Sequence, residues 1–174
     1  MKDSTSNTAY LLLGSNLDDR ESMITKARLM INCFIGHIIG MSSVYETEPW
    51  GFESDSHFLN QVLVVETDMD PPELIKAVKD IELNLGRKKG KAGSFDSGLY
   101  DSRLIDIDIL LFNDLVMEEE DLTIPHPRIK DRLFTLMPLQ EVAGNLTHPA
   151  YHKSISELKE ACTDRLAVKL YPMY

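Results

Sequence analysis

"RLIDIDILLF", residues 103–112, sets two acids inside an otherwise apolar run. Alternate side chains of a strand point to opposite faces, so Ile105, Ile107 and Ile109 share one face while Asp106 and Asp108 share the other. Residues two apart along a strand lie roughly 6 to 7 Å apart at the backbone, close enough for their carboxylates to share one metal ion or hold two. Asp is disfavoured in strands and an adjacent like-charged pair repels, whereas Mg²⁺ would offset that repulsion. The bland alternative is a solvent-facing pair on an exposed strand edge. Either way, the stretch predicts a sheet with one face buried under other elements.

The elements on either side define that sheet. "TAYLLLGSNL" reads as a strand closed by Gly14-Ser15-Asn16, a turn that could cap the following helix and do nothing more. Asp18 is a fitting N-cap, and Met23, Ile24, Ala27, Met30, Ile31 and Phe34 recur at helical spacing until Gly36. "HIIGMSSVYETEP" predicts a second strand, "TEPWGFESDS" a long loop, and "HFLNQVLVVETDM" a third strand rich in β-branched residues. A second helix follows, with Asp70 as cap, Pro71 in its first turn, an apolar stripe of Leu74, Ile75, Val78, Ile81 and Leu85, and Gly86 as its stop. The order strand, helix, strand, strand, helix, strand is the split pattern of the ferredoxin-like α+β class, an antiparallel sheet with both helices on one face. Beyond the aspartate strand, "DLTIPHPRIKDRLFTLMPLQEVAG" predicts a short extended piece, a Pro-rich turn and a helix from about Arg132 to Ala143. "KSISELKEAC" predicts one more helix, and the acidic "EEED" at 118–121 a solvated loop.

The chain's 174 residues suit one domain with a C-terminal extension from about 145 to 174, and 43% hydrophobic with 26% charged residues is ordinary globular composition. No window approaches the ~20 apolar residues of a membrane span, and "MKDSTSNTAY" lacks the apolar core of a signal peptide. A cytoplasmic protein without a membrane partner is expected. Cys33 and Cys162 form no CxxC and read as buried or incidental thiols rather than a disulfide. The net charge of −10 argues against a nucleic-acid surface. One local exception stands out: "RKKGKAGSFDSGLYDSR", residues 87–103, is basic and runs into the aspartate strand, so a small polyanion could bind there. Magnesium commonly binds through one or two carboxylates plus substrate phosphates. Neither a Walker-type loop nor a G-x-G-x-x-G follows the first strand.

Six segments taken together carry a resemblance: "AYLLLGSNL", "YETEPWG", "FLNQVLVVET", "IELNLGR", "RLIDIDILLF" and "IPHPRIKDRLFTLMPLQEVA", in this order between Ala9 and Ala143. The chain resembles the 6-hydroxymethyl-7,8-dihydropterin pyrophosphokinases, folate-pathway enzymes that transfer diphosphate from ATP to a pterin alcohol. The resemblance implies a ferredoxin-like fold, ATP as co-substrate, and two Mg²⁺ ions held by Asp106 and Asp108. It implies a pterin slot between Phe58 and Phe134, its polar edge met by Asn60 and by the loop with Thr47, Glu48 and Trp50. Two rings make a flat apolar slot, and an amide both donates and accepts. Arg87 and Arg103 match arginines that contact the triphosphate and assist transfer, forked donors suited to phosphate oxygens. Glu82, Tyr100, Ile109, Thr123, His126 and Arg132 match further nucleotide-contacting positions. A small-molecule enzyme acting as a monomer is expected.

The chain departs from the family before the metal strand, where "GLYDSR" stands for the usual R-W-G-P-R: Tyr100 replaces the tryptophan and Asp101-Ser102 replaces Gly-Pro. Asp121 stands where some members carry an arginine, with Lys88, Lys89 and Lys91 as nearby cations. Closure of the 47–55 and 88–102 loops over the site is expected. His148 and His152 have the spacing of helical zinc ligands, but Pro149 interrupts them and they read as incidental. Two other classes stay open on residues alone. One is a D-x-D nucleotidyltransferase, whose Gly-Ser turn would lie close before the aspartates. The other is a non-catalytic metabolite-binding module.

Overall fold

Alternating polarity and helix caps translate directly into the architecture of the computed structural model, which describes residues 6–48, 56–86 and 104–173. The order is β1 (Asn7–Ser15), α1 (Arg20–Phe34), β2 (His37–Met41), β3 (Val44–Thr47), β4 (Phe58–Thr67), α2 (Pro71–Asn84), β5 (Asp106–Phe112), β6 (Met117–Glu119), β7 (Leu122–Ile124), α3 (Leu133–Ala143), α4 (Ile155–Ala161) and β8 (Val168–Tyr171). The main sheet runs β5-β1-β4-β3-β8, with β2 beside the far half of β4, and the strand pairings are antiparallel. This is the ferredoxin-like order with one strand added at the edge.

The helix caps are local chemistry. Asp70 and Glu73 form a reciprocal capping box, two α2 residues sit as Pro71 and Pro72 where a missing N–H costs nothing, and Gly86 adopts φ +101° just past the helix. At α1 the cap is Asp19, which accepts from the Ser22 N–H; Asp18 instead adopts φ +53°, so the expected cap is one residue early. Phe34, expected on the apolar stripe, is 64% exposed, because the buried row is Ile24, Ala27 and Ile31. Gly36 does close the helix end, for a steric reason: a Cβ there would lie 2.1 Å from the Glu66 carbonyl oxygen.

The expected second strand is broken into β2 and β3. Ser42 interrupts it: its hydroxyl accepts from the Val62 N–H at 3.0 Å, its N–H donates to the Val62 carbonyl at 2.9 Å, and the Gln61 amide donates to its carbonyl at 2.7 Å. The "LGSN" residues do not cap the helix, since Gly14 and Ser15 belong to β1. Part of "EEED" is strand: Glu118 and Glu119 lie in β6, paired with β7, although both are exposed. The C-terminal extension holds the expected α4 and also an unexpected strand, β8, paired with β3.

The sheet's two faces have different coverings. On one, Ile24, Ile31, Leu74, Val78 and Ile81 of α1 and α2 pack on Leu11, Leu13, Leu63, Ile105, Ile107 and Ile109. On the other, Leu136, Leu139, Ile155 and Leu158 of α3 and α4 pack on Leu12, Val62, Leu110 and Leu111. A β-bulge lets neighbouring Leu110 and Leu111 serve the same cluster: Leu11 pairs with Ile109 and Tyr10 with Leu111, leaving Leu110 as the extra residue. Glu141 fastens α3 to this face by accepting from the Ser43 N–H at 2.7 Å and from the Tyr45 hydroxyl. Burial and that carboxylate push the Tyr45 phenol up to about 12. Among the described residues, no helix is long and apolar enough to cross a membrane.

Candidate active site

β5 begins at Asp106, and its partly exposed Asp106 and Asp108 alternate with buried Ile107 and Ile109 as the pattern requires. In register, Asp106 lies opposite Gly14 of β1, which lies opposite Asn60 of β4, which lies opposite Tyr45 of β3. Paired residues of an antiparallel sheet share a face, so these four form one row, and Asp108 and Leu12 stand in the next. Thr47, opposite Phe58, belongs to the same face. The site floor thus crosses four strands, from the half-buried Asp106 through buried Gly14 and Asn60 to Tyr45, which Glu141 of α3 holds.

Gly14 is the low point of this floor. A Cβ there would approach the Asn60 Oδ1 to 3.4 Å and the Phe58 ring to 3.9 Å. The buried Asn60 side chain is oriented by donating from Nδ2 to the Thr47 hydroxyl at 2.8 Å. Glu48, just past β3, is exposed.

The carboxylate strand is held from both sides. Ser15 donates its hydroxyl to the Leu104 carbonyl at 2.6 Å, and the Ile107 N–H donates to Glu82 Oε1 at 2.9 Å. Among the described residues β5 is an edge strand, and Glu82 satisfies a backbone group on its outer side. Glu82, expected at the nucleotide, is only 2% exposed; its visible work is to set the strand between the two aspartates. Ile109 packs with the α1/α2 cluster, so its side chain faces away from the aspartates.

A third wall comes from the segment after β7. The His126 N–H donates to the Leu110 carbonyl at 2.9 Å, tying this segment to the bulge of β5, and the His126 Nδ1 accepts from the Arg128 N–H at 3.2 Å. Burial pushes the imidazole down to about 4, with the Arg132 and Arg128 guanidiniums adding to that and Asp106 opposing it. His126 is therefore neutral at physiological pH. Arg132, 7% exposed, sets its guanidinium 5.5 Å from the centre of the Phe134 ring in the first turn of α3. Thr123 lies in β7, opposite Glu118.

The fold thus unites Asp106, Asp108, Asn60, Thr47 and Phe58 on one face, with His126 and Arg132 electrostatically coupled to it. Trp50, Arg87, Tyr100, Arg103, the lysines at 88, 89 and 91, and most of both expected closing loops lie outside the described residues. His148 is 1% exposed and stacks on Tyr151 with centroids 4.4 Å apart, while His152 is exposed. Gly14 and Ser15, expected only as a turn that closes the first strand, are β1 residues at the site, and their signal is a pair of small residues ending an apolar strand.

Known structures share this architecture. The chain superposes on a wild-type HPPK-DHPS from Plasmodium falciparum with TM-score 0.71 at 19% identity, over 92% of this chain and 45% of that one. It therefore spans less than half of that longer chain, and the likeness speaks for the fold. The class is a ferredoxin-like α+β domain of the kind found in such proteins.

Residues 10–144 match the model of the 7,8-dihydro-6-hydroxymethylpterin-pyrophosphokinase (HPPK) family. The 2-amino-4-hydroxy-6-hydroxymethyldihydropteridine pyrophosphokinase of Aquifex aeolicus is 43% identical over 87% of this chain and 90% of its own. That of Bacillus subtilis is 38% identical over 83% of both. The chain belongs to the HPPK family. Its activity is ATP-dependent pyrophosphoryl transfer to hydroxymethyldihydropterin, a step of folate biosynthesis.

Proposed function

We propose that residues 1–174 act as one Mg²⁺-dependent diphosphotransferase domain in which Asp106 and Asp108 hold two magnesium ions beside a pterin slot. The observation that carries this is the shared row: one sheet face presents two carboxylates, a glycine and an oriented asparagine side by side. The donor set suits the ion. Among the described residues no group of three or more His, Cys, Asp or Glu could hold a metal, and a pair of carboxylates completed by phosphate and water oxygens is the usual company of Mg²⁺. When bound, the ions supply charge neutralisation at the triphosphate and a template for in-line attack.

The chain's own residues do the rest. Phe58 and Phe134 provide the rings of the slot, Gly14 leaves space on its floor, and Asn60, with Thr47 and Glu48, reads the polar edge of the pterin. The hydroxymethyl oxygen attacks the β-phosphorus of ATP. An O–P bond forms as the bond from that phosphorus to the α,β-bridging oxygen breaks, AMP departs with the bridging oxygen, and the hydroxyl proton goes to solvent. Arg132 faces the nucleotide as a fixed cation, and neutral His126 offers a hydrogen bond without adding charge. Arg87 and Arg103 stabilise the moving group, and Trp50, Tyr100 and Thr123 border the substrates, on the strength of the family resemblance.

Incubation with ATP, Mg²⁺ and 6-hydroxymethyl-7,8-dihydropterin should release AMP, and chelation should stop it until Mg²⁺ is restored. Asp106→Ala and Asp108→Ala should each slow turnover by about 10²–10³-fold while thermal unfolding stays unchanged. Normal turnover by either variant would overturn the metal assignment.

A further inference from the structure

Residues 162–173 lie beyond the family match, which ends at 144, yet they bind both flanks of the open face. Asp164 is their pivot. Its Oδ2 accepts from the Leu133 N–H at 2.9 Å and its Oδ1 from the Leu166 N–H at 3.0 Å. Leu133 opens α3, and the residue before it, Arg132, makes no side-chain cap bond. Asp164 therefore supplies from a distant segment an acceptor for one of the helix's orphan N–H groups, with a negative charge at the positive end of the helix. Arg132 and Phe134 flank Leu133 directly.

The same segment then becomes β8, where Val168 pairs with Thr47 and Leu170 with Tyr45. Beyond that pairing, Tyr171 donates its hydroxyl to Glu21 Oε1 at 2.6 Å and lies 5.7 Å under the Arg20 guanidinium. Arg20 in turn donates to Glu46 Oε1 at 2.9 Å and to the His57 carbonyl at 2.8 Å, clamping β3 to the residue before Phe58. One continuous segment thus links the helix turn that carries Phe134 with the strand ends that carry Thr47 and Phe58.

We propose that Asp164 is a positioning residue for the pterin: it fixes the first turn of α3 to the β8–β3 edge, and so sets where the Phe134 ring stands relative to Phe58 and Asn60. The inference rests on the assignment of those three residues to the pterin. The physical basis is an asymmetry in rigidity. Phe58 and Asn60 belong to a sheet strand bonded on both sides, whereas Phe134 sits in a terminal helical turn, which frays unless its N–H groups are held.

Steady-state kinetics with ATP, Mg²⁺ and 6-hydroxymethyl-7,8-dihydropterin test this on Asp164→Ala, Asp164→Asn, Phe134→Ala and the Asp164→Ala/Phe134→Ala double variant. Asp164→Ala should raise the pterin KM about tenfold with kcat within twofold. Asp164→Asn, which keeps an oxygen acceptor for the Leu133 N–H, should recover most of that loss. The double variant should be little worse than Phe134→Ala alone, since both changes act through one ring. A rise with Phe134→Ala but none with Asp164→Ala, or a fall confined to kcat, would overturn the proposal. No rise with Phe134→Ala would instead overturn the pterin assignment itself.

Discussion

The two faces of the sheet are made by the same strands and answer to opposite demands. Under α1 and α2 the alternate residues of β1, β4 and β5 are mostly Leu, Val and Ile with almost no exposure, each such side chain contributing about 1.5–3 kcal/mol, and Gln61 is the polar exception. On the other face the apolar run stops partway: Leu12, Val62 and Leu110 give way to Gly14, Asn60 and Asp106 toward one end of the sheet. The closed face holds the fold together, and in the proposed function the polar end is the part that substrate rather than a helix completes. Stability and activity should therefore separate by face.

Four substitutions sharpen that contrast. Gly36→Ala should have the largest effect: its methyl would meet the Glu66 backbone at 2.1 Å, and chemical denaturation should show a loss of about 3 kcal/mol or more. Ile24→Ala, wholly under the closed face, should cost about 2–5 kcal/mol of stability, while activity per folded molecule, measured at low temperature, stays near normal. Gly14→Ala reverses the pattern. Its methyl meets the Asn60 amide rather than backbone, so the unfolding temperature should hardly change while the pterin KM rises about tenfold. Equal loss of stability from Gly14→Ala and Ile24→Ala would erase the distinction between the faces.

The smallest effect is a pH dependence at the edge of the open face. The His126 pKa is depressed to about 4 from an unfolded value near 6.5, so the unfolded chain binds the proton more tightly. The stability that His126 contributes is complete above about 6.5 and is lost as pH falls from there toward 4. Unfolding midpoints of the wild type and His126→Gln should converge over that interval, and parallel curves would refute the assignment.

Much of this molecule was legible locally. The Asp70 cap, the Gly86 stop, the α2 stripe and the alternation of Ile105 to Ile109 are set by residues within a few positions of one another. The helix ends with weaker signals misled by a residue, as at Asp18 and Asp19, because either Asp could cap and only the path of the incoming chain chooses. The broken second strand was hidden because Ser42 is an ordinary strand-edge residue until Gln61 and Val62 arrive opposite it.

By itself, then, the sequence determined the first strand, the first two helices and the aspartate strand, which side of that strand is apolar, and, through six segments in order, the family. Only the tertiary structure decided that Asn60, Gly14 and Asp106 stand in one row, that Glu82 serves the Ile107 N–H rather than facing outward, and that Asp164 holds the start of α3. The reason is that periodicity and capping are short-range, whereas strand register and the partners of edge N–H groups depend on contacts between residues far apart in the chain. A slip of one residue in that register would turn every side chain of a strand to the other face and dismantle the site without changing a single local propensity.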